Sequence, residues 1–191
     1  LDFAAKHLVR HIVRLKVCQF LLMQKNLFFR IHDANLFKGV SFKYKMLEFI
    51  SKKVKVQLWD VGGNDHADPL LKIYYKKAMG IVVVFSLDDH QSFEKLNVWL
   101  EYLKVHAHSN ALVILVGTKS DLNKKVVTKE EIQDFQQKFK IKMYFETSAK
   151  DDINVNETFV ELITEVKNKH DNGSFKVEEN RLRKLRLIFL V

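Results

Sequence analysis

The sequence predicts an α/β domain with a mostly parallel sheet and helices on both faces, and three observations carry that prediction. Ile81–Phe85 and Leu112–Val116 are runs of five large apolar residues, the pattern of strands buried on both faces. Beside them, apolar residues recur at spacings of three and four, as in helices that lie on such a sheet. Strands and helices alternate from Tyr74 to Lys169, and right-handed crossovers then make the strands parallel.

The chain divides into residues 1–38, 39–170 and 171–191. In the first part Leu1, Ala5, Leu8, Ile12 and Leu15 recur at helical spacing with Lys6, Arg10 and Arg14 between them, which predicts a basic amphipathic helix. It lacks the apolar segment and cleavage site of a signal peptide. The first glycine is Gly39, so no phosphate cradle of the type GxxxxGK[ST] lies upstream of it.

From Gly39 the order becomes regular. Val40, Phe42, Tyr44 and Met46 alternate with polar residues, as do Val54, Val56 and Leu58 after a turn near Ser51 and Lys52, which predicts an antiparallel pair. Trp59 is out of phase with Val56 and Leu58, on the side of Lys55 and Gln57, and is expected to be exposed. Asp68 and Pro69 read as N-cap and first turn, and Gly80 as a C′ residue, of a helix over 70–79. Phe93, Leu96, Trp99, Leu100 and Leu103 mark the next helix. His90, His106 and His108 form no ligand pattern and are expected at the surface.

After Leu112–Val116 the chain turns at Gly117, and Thr118, Lys119 and Asp121 follow at the carboxyl end of that strand, where open α/β sheets bind ligands. A carboxylate two residues beyond a lysine accepts two parallel hydrogen bonds, as guanine N1 and N2 would donate, while the lysine stem covers a ring. A plain surface turn is the alternative reading of those four residues. Thr128 and Glu131 make a capping box ahead of Ile132, Phe135 and Phe139. Met143–Phe145 is read as a short last strand leading to Ser148, Ala149 and Lys150, and Val155, Phe159, Leu162, Ile163 and Val166 as a last helix. Asp171 to Ser174 reads as a linker. The tail, with Arg181, Arg183, Lys184 and Arg186 before Leu187 to Val191, reads either as a weak membrane contact or as a frayed end.

With 191 residues, 47% of them hydrophobic, the chain suffices for one domain with a full core. Its net charge of +9 is spread through the predicted strands and helices without an aromatic-interleaved basic motif, which argues against a nucleic-acid partner. One cysteine, Cys18, excludes an internal disulfide and a multi-cysteine metal site within these residues. No apolar run approaches the roughly 18 residues that a membrane-spanning helix needs.

Longer stretches now weigh against the plain turn. WDVGGND at 59–65 resembles WDTAGQE, TKSD at 118–121 resembles NKxD or TKxD, and ETSAK at 146–150 matches letter for letter a motif of the small GTPases of the Ras superfamily. YYKKAMGIVVVFS at 74–86 and GVSFKYKM at 39–46 resemble the Rab branch, and the resemblance runs from Gly39 to Lys169. It implies a P-loop-NTPase-like small G domain whose first strand, P-loop and first helix are atypical here. In the family the first strand lies at the sheet centre, and residues 15–22 are the segment available for it.

The resemblance also implies GTP or GDP with Mg²⁺ as ligands. Guanine would be bound by Thr118, Lys119, Asp121, Ser148, Ala149 and Lys150. Asp60 would hold Mg²⁺ through a water, and Gly63 would offer its N–H to the γ-phosphate. Asn64 stands where the family has a catalytic glutamine; it is one methylene shorter, so hydrolysis is expected to be slow. Phe42, Trp59 and Tyr74 correspond to the aromatic triad read by Rab effectors, while His66 and Ala67 depart from the family's exchange-factor contacts. The expected location is cytoplasmic and peripheral on endomembranes, with no prenylation cysteine at the end of these residues.

Two functions from different classes are thus expected. The first is a Rab-like switch in vesicle trafficking, impaired in phosphate and Mg²⁺ binding. The second is a nucleotide-independent pseudo-GTPase that binds effectors or regulators through the aromatic triad. A basic adaptor for membranes or nucleic acid is a weaker third.

Overall fold

The computed structural model describes residues 40–49, 52–61, 69–175 and 183–190. Strands β1 (Val40–Phe49) and β2 (Lys52–Val61) pair antiparallel, as their alternation predicts. Then follow helix α1 (Pro69–Lys77), β3 (Gly80–Ser86), α2 (His90–His106), β4 (Leu112–Thr118), α3 (Lys129–Phe139), β5 (Met143–Thr147), α4 (Val155–Asp171) and β6 (Arg183–Leu190). The sheet order is β1-β2-β6-β3-β4-β5, and the five strands from β2 to β5 in that order run parallel to one another.

Two cores sandwich this sheet. On one face Tyr75, Phe93, Leu96, Trp99, Leu100, Leu103, Ile132 and Phe135 from α1, α2 and α3 pack on Val61, Ile81, Val83, Phe85, Leu115 and Ile188. On the other, Val155, Phe159, Leu162, Ile163 and Val166 of α4 pack on Val56, Leu58, Val82, Ile114, Val116, Leu185 and Leu187. Burial of each such aliphatic contributes about 1.5–3 kcal/mol relative to leaving it exposed. The helical spacings read from the sequence are therefore the buried faces of α2 and α4. The capping box at Thr128 and Glu131 is present at the start of α3.

Five expectations are corrected. The segment expected as a tail is, over Arg183–Leu190, a central strand: Leu185, Leu187 and Ile188 are at most 1% exposed, which removes them from any membrane contact. The expected linker at Asp171 to Ser174 begins as the last turn of α4, and Phe175 just beyond it is buried against His108. Gly80 is not a helix cap but the first residue of β3. A Cβ there would meet Leu187 Cδ2 at 2.6 Å, so the glycine answers to close packing of α4 and β6. Gly117 lies inside β4, and the left-handed backbone that turns the chain falls on Lys119, at φ 63°.

Trp59 is the fifth. It is half-buried, because residues of its phase face the core under α1, α2 and α3, where Val61 is 1% exposed. Both faces of the sheet are covered at this end, so phase alone did not expose it. Residues 1–38, including the expected amphipathic helix and the 15–22 segment, lie outside the described residues, as do Asp68, Gly63, Asn64, His66 and Ala67. Among the described residues no helix is long and apolar enough to cross a membrane.

Candidate functional site

Five parallel strands present their carboxyl ends on one edge, and two loops there are tied together by polar side chains. Ser148 is fully buried; its hydroxyl donates to Asp121 Oδ1 at 2.6 Å, and its oxygen accepts the Asp151 N–H at 3.1 Å. Its backbone bridges to Ile153, which closes the turn over Ala149 to Asp152. The Asp121 side chain is 7% exposed, with Lys150 Nζ 3.8 Å from Oδ2. The Ser148 hydroxyl holds the Asp121 carboxyl below its ordinary value, so it stays ionised at neutral pH. An ionised, oriented carboxylate accepts a pair of N–H donors from a planar base.

The first loop is fixed from below. Thr118 Oγ1 donates to the Phe85 carbonyl at 2.9 Å, and the Ser120 N–H to the Thr147 carbonyl at 3.0 Å, which locks β3, β4 and β5 together at their ends. The left-handed turn at Lys119, which costs about 1–2 kcal/mol outside glycine, is held by the Leu122 N–H bond to its carbonyl at 3.1 Å. Lys119 Nζ donates to both carboxylate oxygens of Asp88, at 2.8 and 2.9 Å. Burial works to raise the Asp88 carboxyl, but the Lys119 ammonium and the Ser86 hydroxyl outweigh it and leave it below its ordinary value.

The structure thus brings Thr118, Lys119, Asp121, Ser148 and Lys150 to one place, with Ala149 between the last two. Asp88 was missed, because the quoted resemblance stops at Ser86. Its signal was an acidic residue two positions beyond a buried strand, on the edge where the lysine emerges. Lys125 was missed too; it pairs with Glu146, which also accepts from the Tyr144 hydroxyl at 3.2 Å and anchors the base of the second loop.

Asp60 lies three strands away from β4, near the carboxyl end of β2, opposite Ser41 in β1 and Phe189 in β6. Among the described residues no group of three or more His, Cys, Asp or Glu side chains gathers around a common point. Asp60 is therefore not part of a ready-made metal-ligand cluster among the described residues. The aromatic triad is brought together in part: Phe42 is the register partner of Trp59, and the Trp59 and Tyr74 rings lie 4.4 Å apart between centroids.

Comparison with known proteins agrees with this geometry. The family model described as the Ras family matches residues 20–168, which takes in residues 20–38 as well. The Ras-related protein SEC4 of Saccharomyces cerevisiae is 37% identical over 135 residues, 71% of this chain and 62% of that protein. The Ras-related protein RABA1h of Arabidopsis thaliana is 34% identical over 136 residues, again 71% of this chain and 62% of the relative. The chain thus spans less than two thirds of the length of these relatives. With the sheet, the paired edge loops and these matches together, the chain belongs to the Ras family, as a Rab-like small GTPase.

Proposed function

We propose that the chain is a guanine-nucleotide-dependent switch of the vesicle-trafficking type, and that its base side is formed by Thr118, Lys119, Asp121, Ser148, Ala149 and Lys150. The observation that carries this reading is the buried, ionised Asp121 carboxylate, oriented by Ser148 and flanked by a lysine whose ammonium is tethered at Asp88. Guanine supplies the N1 and N2 donors that such an acceptor needs. Adenine presents an acceptor at N1 and no amino group at C2, so it would offer the carboxylate no donor and set an acceptor against it, at a cost that favours guanine strongly.

In this reading Asp60 would hold Mg²⁺ through a water, and Gly63 and Asn64, which lie outside the described residues, would serve the γ-phosphate and the attacking water, as the resemblance implies. Hydrolysis is then slow, because the shorter amide places that water poorly. Phe42, Trp59 and Tyr74 form the face for effectors and regulators; the ring contact between Trp59 and Tyr74 supports a shared surface. The protein works in the cytoplasm, at endomembranes.

Titration of the purified chain with fluorescent GDP and GTP, with and without Mg²⁺ and with ATP as competitor, tests the reading. Saturable binding that ATP does not displace supports it. A folded chain that binds neither nucleotide overturns it, and the nucleotide-independent binding module then becomes the better account.

A further inference from the structure

The connections of the sheet sort its two ends. Helices α1, α2 and α3 each finish a few residues before β3, β4 and β5 begin, so their last turns lie at the amino ends of the parallel strands, away from the base-side loops. Local contacts join these turns into one surface. The His108 N–H donates to the Tyr75 carbonyl at 3.3 Å, which ties the loop after α2 to the end of α1. Lys104 of α2 lies over the Phe139 ring of α3, 4.8 Å from its centroid. The end of α4 is held here too: the Asn110 side chain donates to the Ser174 carbonyl at 2.6 Å, and the Asn110 carbonyl accepts from Lys169 at 3.4 Å.

This surface is basic. Each of the four last turns carries a basic residue. Lys76, Lys77, Lys140 and Lys142 are exposed and make no ion pair among the described residues. Of the nearby carboxylates, Glu101 and Asp171 are paired with Lys104 and Lys167, each at 2.8 Å. Asp88, Asp121, Glu131, Asp151 and Asp152 stand at the opposite ends of the strands. A basic residue in a last turn answers to the helix dipole. The dipole accounts neither for Lys142, which lies beyond α3, nor for the aliphatic side chains that share the surface. Val105, between Lys104 and His106, is 75% exposed, and Ile73, one turn before Lys76 and Lys77, is 55% exposed.

Aliphatic tips among lysines suit the headgroup layer of a bilayer, where the tips enter the boundary with the acyl chains and the ammonium groups meet phosphate. Single-stranded nucleic acid needs aromatic faces on which bases stack. The rings described at this end are already occupied: Tyr75 and Phe175 are at most 3% exposed, Phe139 lies under Lys104 and Lys138, and Tyr102 packs on His106.

We propose that the amino ends of the strands, with the last turns of α1 and α2 foremost, form a docking surface for an anionic lipid bilayer. The base-side loops at the opposite ends then face the solvent. The inference goes beyond the nucleotide reading and does not depend on it.

Partition of the full chain onto vesicles of phosphatidylcholine, alone or with about a third phosphatidylserine, tests it at near-physiological salt. The parent should bind the anionic vesicles and leave the neutral ones. Lys76→Gln with Lys77→Gln should weaken that binding about 25-fold, since each lysine near such a surface contributes about fivefold. Lys124→Gln with Lys129→Gln makes the same charge change at exposed positions near the opposite end and should weaken it less than threefold. Equal losses in the two pairs, which would make net charge the cause, overturn the inference. So does a parent that ignores anionic vesicles, or one that binds single-stranded RNA more tightly through Lys76 and Lys77. If a variant fails to fold, the unsubstituted chain on nanodiscs of the anionic composition, with a spin-labelled headgroup, decides. Broadening at the Lys77 and Val105 amides that spares Asp121 supports the inference, and broadening at Asp121 that spares them overturns it.

Discussion

The base-side loops and strand β6 stand on the same edge of one sheet, yet opposite means hold them. The loops at 118–121 and 148–150 are ordered by side-chain hydrogen bonds: Ser148 to Asp121, Lys119 to Asp88 and Thr118 to Phe85. Strand β6 has Leu185, Leu187 and Ile188 in the two cores, and its position is set by main-chain pairing and apolar volume. The difference teaches where each can be broken. A loop of this kind loses ligand recognition when one polar atom is changed, whereas cutting one buried side chain of the strand lowers the stability of the whole fold.

The largest effect is therefore expected at Leu187. Leu187→Ala leaves a cavity between α4 and β3 and should lower stability by about 2–5 kcal/mol in urea unfolding. A loss well below 1 kcal/mol would mean that β6 is not part of the cooperative core. Ser148→Ala comes next. It removes the hydrogen bond that holds the nearly buried Asp121 carboxylate, and should cost about 1.5–3 kcal/mol while Asp121 titrates closer to an ordinary carboxylate by NMR.

These two effects also show why one region could be read in advance and the other could not. TKSD and ETSAK name their residues because a buried carboxylate, its hydroxyl donor and a flanking lysine admit few substitutes. Leu185 to Leu190 is generic: an apolar segment among and after basic residues fits a tail, a membrane contact or a strand equally well. Its place is decided by the slot between β2 and β3, and that slot exists only in three dimensions. Trp59 failed in the same manner, since phase assigns a sheet face but not whether a helix covers it. Gly80 was recognised as special for the wrong reason, because the need for a small residue came from Leu187, more than a hundred positions away. The helices, by contrast, were legible from spacing and from the Thr128 cap, which are local properties.

A smaller effect separates recognition from stability. Asp88→Asn removes the charge partner of a half-exposed Lys119, so the cost in stability should stay within about 1 kcal/mol. GDP should nevertheless dissociate faster in stopped flow, because the lysine stem loses its tether; an unchanged off-rate would mean that Asp88 does not position it.

The smallest expected effect lies away from the site, at the contact of α2 with the start of α3. His90 Nε2 is 2.8 Å from Glu131 Oε1, which raises the His90 pKa and, with Thr128, lowers Glu131 to about 2. The histidine contribution is complete below its ordinary value of 6.5 and is lost as pH rises through the raised folded value. That of Glu131 is complete above its ordinary 4.5 and is lost as pH falls towards 2. Thermal unfolding should thus show a shallow optimum between those two ordinary values, and His90→Asn should flatten its alkaline side. An identical slope in the variant would show that the pair adds nothing.

The most direct test of the central claim is an exchange of base specificity. In Asp121→Asn the acceptor pair becomes one acceptor and one donor, which suits the 2-oxo group of xanthine instead of the 2-amino group of guanine. Competition of GDP and xanthosine diphosphate should favour GDP in the parent and xanthosine diphosphate in the variant, each by about tenfold or more. Equal affinities for the two in both proteins, or binding of neither by a folded parent, would contradict the assignment of Asp121 as the guanine-reading carboxylate.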